Sequence, residues 1–184
     1  SQGQWLSYGK LVDRMRGNIS VQVVKGDASD ARSLAAAMDG VDIAYYLIHA
    51  LGTGRDFAAR DRDTARTFGQ AARAAGVSRI VYLGGLYPEG ERLSNHLASR
   101  KEVGDILLAS GVPTTVLQAA VILGSGSASF EMLRYLTERL PVMITPKWLG
   151  SRIQPIAVRD VLHYLVGSAA MPAEVSRAFD IGGP

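Results

Sequence analysis

Three times along the chain an alanine- or leucine-rich stretch closes on Gly-Val and gives way to an apolar run, at Gly40-Val41, Gly76-Val77 and Gly111-Val112. The stretches before these pairs cover residues 33–38, 57–75 and 97–108, and the runs after them cover 42–48, 79–83 and 114–123. Glycine just past a helix end takes the left-handed backbone conformation without a Cβ clash. The valine then opens the next strand, so one helix-to-strand connection is used three times. A recurrence of about 35 residues is the length of one βα unit, the crossover that a parallel strand needs. Such units build an α/β fold, a doubly wound and mostly parallel sheet with helices on both faces. Ligands of that fold sit beyond the carboxyl ends of the strands.

The finer pattern predicts a strand over 20–25 that ends at Gly26-Asp27, and a short helix over 32–38. The run 42–48 is nearly all apolar, as in the buried centre of a parallel sheet, and is expected beside 79–83 as a central pair. Phe57, Ala65, Phe68, Ala72 and Ala75 mark one face of a long helix. Further helices are predicted over 94–110, 129–140 and 158–167, and strands over 114–123 and 178–181. No linker or low-complexity tract interrupts this order, so residues 1–184 read as a single domain. Residues 1–18 hold no strand followed by a glycine-rich turn and a helix. In dinucleotide-binding domains that unit places a helix N-terminus on the pyrophosphate. The expectation is a partial domain without its first βαβ unit, one that by itself binds dinucleotide poorly.

Composition narrows the class. With 47% hydrophobic and 20% charged residues the chain has an ordinary globular balance. No apolar run approaches the ~20 residues that cross a bilayer, so no membrane partner is expected. A net charge of +3 is too mild to indicate nucleic acid. Arg55, Arg62, Arg66 and Arg73 share a helical face, but Asp56, Asp61 and Asp63 interleave with them, which reads as a salt-bridged surface. The absence of cysteine excludes disulfides and thiolate zinc, fits a cytoplasmic protein, and leaves no metal site to expect.

Chemistry concentrates where strands end. His49 is followed by Gly52 and Gly54, a loop that either admits a ligand to the backbone or merely turns. Gly84-Gly85-Leu86-Tyr87 follows the next strand. Tyr87 is a candidate phenol, though Pro88 and the charges behind it suggest an exposed loop. Gly124 to Ser129 has G-x-G-x-x-G spacing with serine in the third place, but no acidic residue about 20 positions on. A turn with a serine cap is the better reading there.

The runs 79–86, 93–104 and 111–124, together with Gly26-Asp27-Ala28-Ser29-Asp30 and the stretch 154–161, resemble the atypical short-chain dehydrogenases/reductases. Within them the chain is most similar to the NmrA-like and nucleoside-diphosphate-sugar-epimerase-like branch. The resemblance implies an NAD(P)-binding Rossmann-like fold, with NAD and NADP not distinguished. It places the adenine edge at Asp27 and Ala28, and the nicotinamide-ribose side at Ile48, His49, Gly84, Gly85, Arg100, Ala120 and Val121. That family's catalytic pair is Tyr-x-x-x-Lys, and here the matching positions hold His96 and Arg100, while Gly84-Gly85 stands where a catalytic serine is common. Arginine stays charged and can keep the ribose- or phosphate-binding half of the lysine's role. His96 could transfer a proton near neutral pH, or be a solvent-facing or capping residue. Two classes follow: an oxidoreductase or epimerase relative whose small-molecule substrate no residue identifies, or a non-catalytic NmrA-like dinucleotide-sensing module. Either is compatible with a homo-oligomer.

Overall fold

The computed structural model describes residues 23–48, 57–87, 90, 93–124, 128–139 and 154–183. In chain order the elements are α1 (Ala31–Ala37), β1 (Ile43–Tyr46), α2 (Phe57–Ala74), β2 (Arg79–Gly85), α3 (Asn95–Leu108) and β3 (Thr114–Ala119). They continue with β4 (Val121–Leu123), α4 (Ala128–Arg139), β5 (Pro155–Ala157), α5 (Val158–Ala169) and β6 (Arg177–Ile181). Four strands form one sheet in the order β1-β2-β3-β6, and every pair in it is parallel. A second, two-stranded parallel sheet joins β4 to β5.

The repeated glycine acts as expected. Gly40, Gly76 and Gly111 have φ of 70, 73 and 84°, the left-handed region. At Gly76 the helix end is fully wired: Gly76 N donates to Arg73 O at 3.2 Å and Val77 N to Ala72 O at 3.0 Å, the paired bonds of a Schellman cap. The strands begin two residues later than the valines, at Ile43, Arg79 and Thr114.

Alternation along the strands sorts the core into two layers. Tyr46, Ile80, Tyr82 and Val116 pack with Leu34, Phe68, Ala72, Val103 and Leu107, so α1, α2 and α3 cover one face. Val81, Leu117 and Ile181 pack with Val161 and Leu165, so α5 covers the other. This is the doubly wound α/β arrangement read from the sequence.

Some details differ from expectation. Residues 23–25, the described part of the strand expected over 20–25, join no ladder, and Val23 and Val24 are exposed. A strand needs a neighbour, and no described strand pairs with them. Segments 42–48 and 79–83 are neighbours as expected, but β1 is an edge strand among the described residues and the central pair is β2 and β3. The single strand expected over 114–123 is broken at Ala120, where the chain leaves the main sheet to form β4. Strand β5, only three residues long, lacks the length for a periodic signal.

Arg79, at the first position of β2, is a buried charge, 2% exposed. Its Nη1 donates to Thr115 Oγ1 and Val175 O, both at 2.9 Å, and its Nη2 to Met171 O at 3.0 Å and Pro172 O at 2.5 Å. The guanidinium thus ties the start of β2 to β3 and to the loop between α5 and β6.

Candidate functional site

The loop ahead of α1 is shaped by its own side chains. Asp27 Oδ1 accepts from Ser29 N at 2.8 Å and Ser29 Oγ at 2.7 Å, bonds that hold its carboxyl below the usual carboxylate range. Ser33 Oγ accepts from Asp27 N at 2.9 Å, and a Cβ on Gly26 would stand 2.8 Å from that oxygen. Asp30 caps α1 by accepting from Arg32 N and Ser33 N. Asp27 and Ala28 then face Ile48 and the first turns of α2 across a cleft of about 810 Å³, which Arg60, Asp61 and Thr64 also line.

A second group gathers around α3. Ser94 caps this helix, accepting from Leu97 N at 3.3 Å. One turn apart, Arg100 Nε donates to His96 Nε2 at 3.2 Å, and the Phe57 ring of α2 lies 6.4 Å from the imidazole. Tyr82 Oη donates to Arg100 O at 3.2 Å. Buried Asp61 accepts from Ser99 Oγ at 3.2 Å, so the cleft and the α3 group share one fixed contact. A Cβ at Gly85 would come within 3.2 Å of Leu97 Cδ2 and 3.4 Å of Arg100 Cδ. Glycine there lets α3 lie close over the end of β2, and a serine would displace both side chains.

Gly84 and Gly85 pair with Gln118 and Ala119 of β3, next to the break at Ala120 and the half-buried Val121. Gly84, Gly85, Tyr87, Arg100 and Lys101 border a void of about 20 Å³, room for about one water. Tyr87 is half-buried, not the exposed loop residue expected, because Gln118 Nε2 donates to its hydroxyl at 2.8 Å. His96 is exposed, and Ser94 holds the cap position. His49, Gly52, Gly54, Arg55 and Asp56 lie outside the described residues, as do 125–127 of the Gly124 to Ser129 turn. The structure therefore brings Asp27, Ala28 and Ile48 together, and separately joins Gly85, His96 and Arg100. Sequence reasoning missed Asp61, Ser99 and Tyr82, whose spacing has no motif; only their clustering in space exposes them.

Of the arginine face of α2, Arg66 lies 3.3 Å from Asp63 as expected, whereas Arg62 pairs at 3.0 Å with Glu102 of α3 and Asp61 is buried instead of on the surface. Among the described residues no helix is long and apolar enough to cross a membrane, and no cluster of acidic and histidine side chains has a metal-binding arrangement.

Burial pushes the Tyr82 phenol up from 10.0 to about 12, with Arg100 opposing and Asp61 adding to the rise. Tyr46 is raised further still, first by burial and then by Asp61. A phenol with a raised folded pKa contributes stability that is present below the unfolded value and is lost as pH rises through the folded one. The protein is expected to hold its stability up to pH 10.0 and to lose on the order of 2–3 kcal/mol by about pH 12 through Tyr82 alone. Urea midpoints in that window test this, and a smaller loss in Tyr82→Phe identifies the residue responsible.

With a parallel sheet and a cleft beyond the carboxyl end of β1, the fold is that of a dinucleotide-binding α/β domain. Residues 11–129 match the NAD(P)H-binding family, and the chain belongs to it. NAD(P) is accordingly its cofactor class, in keeping with the short-chain dehydrogenase/reductase resemblance. Solved structures share the fold. The Bordetella bronchiseptica enzyme WbmG in complex with NAD is 18% identical with a TM-score of 0.71, over 88% of this chain and 57% of that one. A nucleoside-diphosphate-sugar epimerase from Staphylococcus aureus is 19% identical with a TM-score of 0.71, over 94% and 58%. UDP-N-acetylglucosamine 4-epimerase from Bacillus cereus is 15% identical with a TM-score of 0.65, over 85% and 63%. The chain thus spans less than two thirds of each of these relatives. No curated protein matches the sequence.

Proposed function

We propose that this chain is the greater part of a single cytoplasmic NAD(P)-binding domain of an oxidoreductase or nucleotide-sugar-epimerase relative, with His96 and Arg100 standing for the usual Tyr-x-x-x-Lys pair. The observation that carries this reading is Arg100. Its stem rests over Gly85 and its Nε is held by His96, while Nη1 and Nη2 have no partner among the described residues. A fixed cation with free donors suits the hydroxyl and phosphate oxygens of a dinucleotide. Asp27, Ala28 and Ile48 would hold the adenine edge, and His49, Gly84, Gly85, Ala120 and Val121 would flank the nicotinamide ribose. The bound cofactor would supply hydride donor or acceptor chemistry. His96 is the group of this chain that would hold or move a proton.

A second reading, a non-catalytic dinucleotide sensor, is favoured by the lack of a tyrosine at position 96. Calorimetric titration of full-length protein with NADPH and NADH tests the common part. Arg100→Ala is expected to weaken binding by about 10- to 100-fold, the value of a charged hydrogen bond. An unchanged affinity would sink the assignment. Cofactor-dependent turnover that disappears in His96→Ala selects the enzyme; activity gained only in His96→Tyr selects the sensor.

A further inference from the structure

We propose that His96 is a positioning residue for Arg100, and that this makes dinucleotide affinity fall on acidification. The proposal rests on the reading of Arg100 as a cofactor contact. A guanidinium is always charged and can only donate, so the 3.2 Å contact from Arg100 Nε requires a lone pair on His96 Nε2. The imidazole is therefore neutral, with its proton on Nδ1, whenever this bond exists. Using Nε in this way leaves the Nη1–Nη2 end of the fork presented outward, the geometry that meets two oxygens of a phosphate or a ribose diol. An arginine side chain otherwise has large rotamer freedom to lose on binding. Here its Cδ lies against the Gly85 position and its Nε is pinned, so most of that freedom is already gone. The backbone beneath is fixed as well, by Tyr82 Oη on Arg100 O.

Protonation of the imidazole turns both ring nitrogens into donors. Donor then faces donor, and two cations sit one helical turn apart. Among the described residues nothing relieves this. Phe57 is the α2 neighbour in ring contact with His96, Asp61 of α2 is engaged by Ser99, Glu102 of α3 pairs with Arg62, and β2 contributes the Tyr82 phenol. Among the described residues no carboxylate forms an ion pair with His96 or Arg100. Acid thus releases Arg100, and binding weakens beyond what the cofactor's own titration causes.

The test uses full-length protein and oxidised NAD or NADP, whichever the wild type binds more tightly, at about pH 8 and about pH 5. His96→Leu is expected to lower affinity by about 5- to 10-fold at the higher pH, the scale of one hydrogen bond. It should cost nothing further in an Arg100→Ala background. His96→Gln supplies an amide oxygen that accepts at either pH. It should stay within about twofold of wild type at the higher pH and lose less affinity than wild type at the lower one. Additive losses for His96→Leu and Arg100→Ala overturn the proposal, and so does a wild-type pH response in His96→Gln. An Arg100→Ala variant that binds normally overturns instead the assignment of Arg100 to the cofactor. Because His96 is exposed, its variants should keep the wild-type thermal midpoint, which separates lost positioning from lost fold.

Discussion

Arg79→Met is expected to destabilise the protein by about 3–5 kcal/mol, the largest effect of any substitution considered. Methionine matches the stem of the side chain but donates nothing. Thr115 Oγ1 and the carbonyls of Met171, Pro172 and Val175 would all lose the donor they now face. Among the described residues no carboxylate neutralises Arg79; its charge is held there by oxygen dipoles, and its burial is tolerated because so many donors are used. The carbonyls belong to the loop that delivers β6 to β3, so the loss should be felt as a loosened edge strand. A urea midpoint measures it. Arg79→Lys should fall between the two, since an ammonium cannot span acceptors that a planar fork reaches. A loss below about 1 kcal/mol for Arg79→Met would mean that the loop is held by its apolar contacts instead.

Leu107→Ala is expected to cost about 3 kcal/mol through the cavity it leaves. Leu107 is fully buried near the end of α3, where its Cδ2 lies 4.0 Å from the Cβ position of Gly69 on α2. The packing is close there, because a Cβ on Gly69 would stand 2.9 Å from the Cβ of Ser110, just past the end of α3. Closing the gap would require α2 and α3 to approach still further, and Gly69 and Ser110 leave no room. The denaturant midpoint should fall with its slope unchanged. A loss under about 1 kcal/mol would indicate that the helices do collapse.

The fold was legible because it is repetitive. Gly40, Gly76 and Gly111 announce the helix ends by a requirement that no other residue meets as cheaply, and the apolar runs behind them mark strands covered on both faces. What failed was set by neighbours. Val23 and Val24 have strand-like character and pair with no strand among the described residues, and β5 is three residues whose strand identity depends on β4. The site was half legible. His96 and Arg100 stood out because they fall where the family resemblance places the Tyr-x-x-x-Lys pair, and the structure joins them by a hydrogen bond. Asp61, Ser99 and Tyr82 come from three elements, and nothing local in the sequence links residues 61, 82 and 99. Arg79 was hidden for the opposite reason. A cation opening a strand reads as an exposed end, and only the loop folding over it buries the charge.

The three glycine closures share one rim of the sheet, where helices end and strands begin, while the candidate site occupies the opposite rim. This separates the residues under folding constraint from those under chemical constraint. An exchange such as histidine for tyrosine or arginine for lysine touches no helix stop and no strand start. Residues at the open rim can therefore change while the closed rim keeps the architecture in register.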